Sequence, residues 1–258
     1  MNTVKIGREH LCRLIEIERK YVRPRTPPSG REDPFMVVEQ DSPVLLSAPH
    51  GGRTFRNRVD EQWHPHDRYT ASMALLLAEV CGTSAIATVR ETRDHDPNCS
   101  PAQQSAYKQR LRRLLVDRNV KYVLDLHGLS NRASGMQGYL VDLGVRDLAD
   151  PCLDNLRLTE FQRMINARFG ASPANSVVST NKRPAKTSGT VTSFVSSQIG
   201  VQWKPEAVQI EMKRSVRVPE IRNGLLCREG AQLSRLNRHV LAMIQALTDF
   251  VEYLHAQS

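Results

Sequence analysis

Two apolar runs, each ending in a histidine followed at once by glycine, constrain this chain most: Val44-Leu45-Leu46-Ser47-Ala48-Pro49-His50-Gly51-Gly52 and Tyr122-Val123-Leu124-Asp125-Leu126-His127-Gly128. A short apolar run bounded by turn residues reads as a buried strand. Open α/β sheets bind ligands in the crevice beyond the carboxyl ends of their strands. A histidine at that end faces a ligand, and glycine beside it lets the backbone bend and a ligand come close. Two such histidines on one sheet would converge on a metal ion.

The rest of the chain supplies the sheet. Residues 9–20 place Leu11, Leu14, Ile15 and Ile17 at helical spacing, residues 21–34 form a Pro/Arg/Gly-rich loop, and residues 36–38 and 44–46 read as strands. Asp67 precedes a helix carried by Met73, Leu75, Leu76, Leu77 and Val80 that stops at Cys81-Gly82, and residues 84–89 follow as a strand. Residues 90–98 read as a charged loop. Ser100-Pro101-Ala102-Gln103 then has a serine N-cap, proline at the first helical position and glutamine three residues after the cap, opening a helix to about residue 119. Strand 122–126 delivers Asp125 and His127.

Strand, helix, strand, helix, strand in that order implies right-handed crossovers. The expected class is α/β, with a mixed, largely parallel central sheet flanked by helices, in one domain over residues 1–258. Downstream lie a strand-rich excursion over 135–144, a helix over 158–169, a polar loop over 175–189, a strand over 208–212 and a helix over 231–254. That last helix sets Leu236, Val240, Met243, Leu247, Phe250 and Leu254 on one face, which is core packing.

A formal charge of +9 attracts anionic partners. Arginine recurs at 110, 112, 113 and 118, and again at 214, 217 and 222. The cations form no dense tail and lack the aromatic interleaving of single-strand binders, so small carboxylates are the expected partners rather than nucleic acid. Five cysteines without a CxxC pair argue against a disulfide framework and a cysteine zinc knuckle. Met1 leads into charged residues and no apolar run reaches membrane-spanning length, so a cytoplasmic setting without a membrane partner is expected.

Catalytic zinc takes three protein ligands, commonly histidine with a carboxylate, and keeps a position open for water. His50 and His127 supply two, and the loop ahead of the second helix offers Glu61, His64, His66 and Asp67 for the third. Asp67 also stands at a helix start, where an aspartate can simply cap. Asp125 points to the same side of its strand as His127 and can orient that ring. Glu211, flanked by Ile210 and Met212, is costly to bury unless it works as a general base or pairs with Lys213, Arg214 or Arg217. Arginines 90, 93, 132, 214 and 217 are candidates to clamp a substrate carboxylate.

Laid out in order, Ser47-Ala48-Pro49-His50-Gly51-Gly52, Asp67-Arg68-Tyr69-Thr70, Asp96-Pro97-Asn98, Asp125-Leu126-His127-Gly128 and Gln209-Ile210-Glu211-Met212 resemble the N-formylglutamate amidohydrolase family, a relative of the zinc carboxypeptidases. The resemblance covers about residues 44–217 and implies a phosphorylase/hydrolase-like α/β sandwich. It implies a zinc-dependent hydrolase cleaving the amide C–N bond of an N-acyl, for instance N-formyl, amino acid. On that reading His50, Asp67 and His127 match the metal positions and Glu211 the base that activates water. Arg132 and Arg214 would serve the reaction, and Arg90, Asn98 and Arg217 would bind substrate. The same ligands accept other divalent transition metals. Two departures stand out. The HxxE spacing of the carboxypeptidases is absent, since Arg53 follows three residues after His50, and the family's Asn-Arg pair is here Asn98-Cys99. A relative that binds a small anion without catalysis is the alternative.

Overall fold

The strands need both faces covered, and the chain covers them with unequal layers of helix. A computed structural model describes residues 4–30, 32–55, 62–92, 96–99, 101, 105–146, 152–185, 189–197, 204–229 and 232–258. Helix α1 (Arg8–Tyr21) precedes strands β1 (Phe35–Val38) and β2 (Val44–Ala48) and a ribbon of β3 (Thr54–Phe55) and β4 (Trp63–His64). Helix α2 (Thr70–Cys81), strand β5 (Ser84–Thr88), helix α3 (Ala106–Asp117) and strand β6 (Tyr122–Leu129) follow. Next come β7 (Val141–Gly144), α4 (Asn155–Arg168), β8 (Val178–Thr180), α5 (Val191–Ser196), β9 (Glu206–Lys213) and α6 (Arg214–Arg217). Two short ribbons then lead to α7 (Arg235–Ala256). Among the described residues no helix is long and apolar enough to cross a membrane.

Seven strands form one sheet in the order β1-β5-β2-β6-β9-β7-β8. The central four, β5, β2, β6 and β9, run parallel, while β1 is antiparallel to β5 and β7 antiparallel to β9. The architecture is therefore α/β with a mixed, largely parallel sheet. The chain leaves β2 through α2 to reach β5 on one side, then returns through α3 to β6 on the other. Loops diverge at the carboxyl end of β2, which is where such sheets open a crevice.

Side-chain alternation sorts two cores. Val44, Leu46, Tyr122, Leu124, Leu126, Val208, Ile210 and Met212 pack with α1, α2, α4 and α7. Leu45, Ile86, Val123 and Ala207 face α3 and α5, through Tyr107, Leu111, Leu115, Phe194 and Val195.

Several local readings shift. Helix α3 starts at Ala106 because the Ser105 side chain accepts from the Lys108 N–H; Ser100 and residues 102–104 lie outside the described residues. Helix α7 starts at Arg235, capped by Ser234, so Leu233 belongs to a ribbon. The stretch read as a polar loop over 175–189 contains β8 at the sheet edge, and α5 and the ribbons were not expected.

Candidate metal centre

His50 stands two residues beyond β2, where Gly51 and Gly52 let the chain turn flat against β5. A Cβ on Gly51 would collide with the Thr88 carbonyl and Ala71, and one on Gly52 with the Arg90 carbonyl. His127 lies within β6, directly opposite Glu211 of β9 in the parallel register. Asp67 sits in the turn before α2, tied down by a 2.7 Å hydrogen bond from its N–H to the His50 carbonyl.

The capping role open to Asp67 is not taken by its carboxylate. The N-cap of α2 is Tyr69, at a left-handed φ of 68° and with no side-chain bond. Glu18 of α1 serves that end instead, accepting from the Ser72 hydroxyl at 2.5 Å and from the Tyr69 N–H. Burial pushes the Glu18 carboxyl up, and those hydrogen bonds oppose the shift. The Asp67 side chain is left to face the histidines.

Its Oδ2 stands 3.8 Å from Nδ1 of His50 and 3.8 Å from Nδ1 of His127. One ligand atom from each of the three residues lies within 4.8 Å of the others, and no second such group occurs among the described residues. Ligands about 2 Å from a tetrahedral zinc stand ~3.3 Å apart, so the donor set fits a small divalent ion with little movement. The two rings meet edge to face at 78°, centroids 5.0 Å apart.

The ε nitrogens are held from behind. His50 Nε2 donates to Asp96 Oδ1 at 2.9 Å and His127 Nε2 to Asp125 Oδ2 at 3.1 Å. A carboxylate on one ring nitrogen fixes the tautomer and leaves the other as the ligand atom. Asp125 is fully buried and also accepts from the Ser47 and Thr192 hydroxyls. Asp96 accepts from the Asn98 N–H at 2.8 Å and the Thr54 hydroxyl at 3.4 Å. The sequence reading had assigned Asp125 this place beside His127 but had given Asp96 none.

Burial works against a charged ring at His127, yet Asp125, Glu211 and Asp67 outweigh it and push its pKa to about 10 in the metal-free protein. Glu211 keeps a little exposure but is otherwise enclosed. Desolvation raises its pKa, the two histidines and Asp67 acting in opposite senses. Gln209 donates to its Oε1 at 2.8 Å.

The remaining predicted residues separate. Arg132 and Arg214 are exposed on the segments that follow β6 and β9, which the Ser215 N–H joins at 3.0 Å to Asn131 Oδ1. Asn98 accepts from the Val191 N–H at 2.9 Å, and its amide nitrogen lies 3.3 Å from His127 Nε2. Because that nitrogen donates to Asp125, the Asn98 approach is a contact rather than a second bond. Arg90 turns away toward Glu32 at 3.4 Å, in a groove with Lys20, Arg23 and Asp33. Arg217 is buried and bonded to backbone carbonyls. His66 is half-buried and held below its usual range by burial and Arg68, and His64 belongs to β4. Glu61, Arg93 and His95 lie outside the described residues.

No protein-family model matches the sequence, and no curated protein matches it. Among solved structures the chain is similar to a metallo-carboxypeptidase from Burkholderia cenocepacia, with a TM-score of 0.44 and 14% identity over 97% of this chain and 70% of that one. It is similar to a bacteriophage poly-gamma-glutamate hydrolase, with a TM-score of 0.39 and 12% identity over 87% of this chain and 92% of the other. It is similar also to N-formylglutamate amidohydrolase from Ralstonia eutropha JMP134, with a TM-score of 0.56 and 14% identity over 87% of this chain and 99% of that one. At such identities the fold is what is shared, and the chain has the fold of that amidohydrolase, as its ordered motifs implied.

Proposed function

We propose that the protein is a metal-dependent hydrolase that cleaves the amide C–N bond of an N-acyl amino acid. The observation that carries this reading is the triangle of His50, Asp67 and His127, with Glu211 beside it on the neighbouring strand. The similarity of fold to an N-formylglutamate amidohydrolase supports it. His50, Asp67 and His127 would hold the ion. A divalent ion there, zinc by its nitrogen and carboxylate donors, supplies Lewis acidity that polarises a carbonyl and makes a water more acidic.

The chain's own groups do the rest. Glu211, its pKa raised by burial, takes a proton from the attacking water at its carboxylate and returns it to the leaving amine nitrogen. Asp96 and Asp125 keep the imidazoles turned inward. Arg132 and Arg214, which have no ion-pair partner among the described residues, stand at the strand ends to receive the substrate carboxylate or the developing oxyanion. Asn98 lines the same crevice beside His127.

The test is metal content by mass spectrometry on untagged protein, beside His127→Ala, followed by hydrolysis of a panel of N-formyl and N-acetyl amino acids. About one equivalent of metal in the wild type, lost in the variant, and turnover of an acidic member of the panel are expected. Protein that takes up no metal after reconstitution with zinc would sink the reading. Stoichiometric metal with no hydrolysis anywhere in the panel would favour an anion-binding relative.

A further inference from the structure

Arg217 was expected among the substrate-binding arginines, yet it sits in the wrong place to reach one. Its Nε donates to the Met212 carbonyl at 3.1 Å, one Nη to the Leu129 carbonyl at 3.4 Å and the other to the Arg68 carbonyl. Those carbonyls close the ends of β9 and β6 and the turn ahead of α2. Met212 follows Glu211, Arg68 follows Asp67, and Leu129 is two residues from His127. One guanidinium thus touches three of the four segments that bear the site.

Gly128 shows which side it touches them from. A Cβ at that position would lie 2.5 Å from the Arg217 guanidinium carbon. Successive residues of a strand face opposite ways, so the space vacated at Gly128 lies on the reverse of the sheet from the His127 ring. The arginine fills that space as a flat plate and is only 6% exposed.

We infer that Arg217 is a positioning residue: it clasps the Asp67, His127 and Glu211 segments together from behind the sheet and makes no contact with substrate. The inference rests on the metal-centre reading above. Carbonyls at strand and loop ends need donors, and a rigid planar fork of five N–H groups spans three that lie apart, whereas the N–H groups of a lysine all diverge from one compact nitrogen. Its charge also stands close enough to Asp67 and Glu211 for each to be felt, which offsets the crowding of carboxylates on the other face.

The test uses zinc affinity, by competition with a chromogenic chelator, and the visible spectrum of the cobalt-loaded protein, neither of which needs a substrate. Arg217→Lys, Arg217→Gln and Gly128→Ala should each weaken zinc by about 10-fold or more, the range seen when groups supporting metal ligands are removed. Each should also shift the cobalt bands. Gly128→Ala matters most, since it keeps the arginine and its charge while displacing the plate, and it carries the test should Arg217→Gln not fold. Guanidinium added to Arg217→Ala should restore part of the affinity. Unchanged zinc affinity and cobalt spectrum in the folded variants would overturn the clasp while leaving the metal centre intact. Weakened binding of succinate alone, with zinc unaffected, would return Arg217 to the substrate. A wild type that takes up no zinc would fell both readings together.

Discussion

Leu46, Leu124 and Ile210 point to one face of the sheet, and Ser47, Asp125 and Gln209, their neighbours in sequence and partners in register, point to the other. The first face stays apolar through Leu126 and Met212, under α1, α2, α4 and α7, and meets the Arg217 guanidinium only at Gly128. The second begins apolar at Leu45, Val123 and Ala207 and turns polar toward the strand ends, passing through the Ser47–Asp125–Gln209 row to His127, Glu211 and Asp142. One set of strands therefore carries both a conventional core and a row of buried carboxylates. Such a row is tolerable only when every member is hydrogen-bonded. Asp125 has three donors, and Asp142 accepts from the Ser179 hydroxyl and the Lys182 and Arg183 N–H groups. The pleat divides the sheet: the larger apolar core lies on one face and the candidate site on the other.

If that division is real, variants on the two faces should fail differently. Glu211→Gln should show the largest effect, a fall in turnover of about a hundred- to ten-thousand-fold, the usual worth of a positioned general base. Metal content and melting temperature should stay near wild type. Near-normal turnover would remove Glu211 from the mechanism. On the other face, Phe161 is fully buried and stacked on Phe250 at 4.0 Å. Phe161→Ala should cost about 3–5 kcal/mol in denaturant unfolding while the folded fraction still binds zinc normally. Loss of zinc affinity in that variant, out of proportion to unfolding, would show the faces to be coupled.

How much of this was legible beforehand follows from range. His127 and Asp125 lie in one strand, so period two alone places them on the same side. His50 announced itself through the apolar run before it and the glycines after it. Asp96 did not, because its bond to His50 closes across 46 residues from a loop with no regular pattern. Nor could the turn before α2 be read, since Glu18, which accepts from Tyr69 and Ser72 there, comes from a different helix. Helix α5, Val191-Thr192-Ser193-Phe194-Val195-Ser196, is too short and too rich in hydroxyls to show a helical stripe, and β8 is three residues long. The arginines were the hardest to tell apart. Only partners elsewhere in the chain show that Arg90 belongs to Glu32 and Arg217 to three carbonyls, while Arg132 and Arg214 are exposed on the segments after β6 and β9.

Asp96→Asn sharpens the comparison at smaller amplitude. Asparagine keeps the shape but weakens the hold on His50 Nε2, so zinc affinity should fall by about 10- to 100-fold with little change in the stability of the metal-free protein. Competition with a chelator reads the first and thermal melting the second. A variant that lost stability but kept zinc would make Asp96 a packing residue of the loop.

The effect of pH separates the faces most cleanly. In the metal-free protein His127 titrates at about 10, against about 6.5 for an unfolded histidine. A pKa raised on folding means that the charged ring contributes stability that is complete below about pH 6.5 and lost as pH rises through about 10. A metal ion needs the neutral ring and must displace that proton. Zinc affinity should then rise by about tenfold per pH unit between roughly pH 7 and 9, with one proton released per ion, measurable by titration calorimetry in buffers of different ionisation enthalpy. Metal-free protein should melt lower at about pH 10 than at about pH 7, and zinc should reduce that loss. Phe161→Ala, on the opposite face, should lower both melting curves without altering their slope against pH. A metal-free protein whose melting is flat across this window would mean that the carboxylates around His127 do not hold its proton, and the electrostatic half of the division would fall.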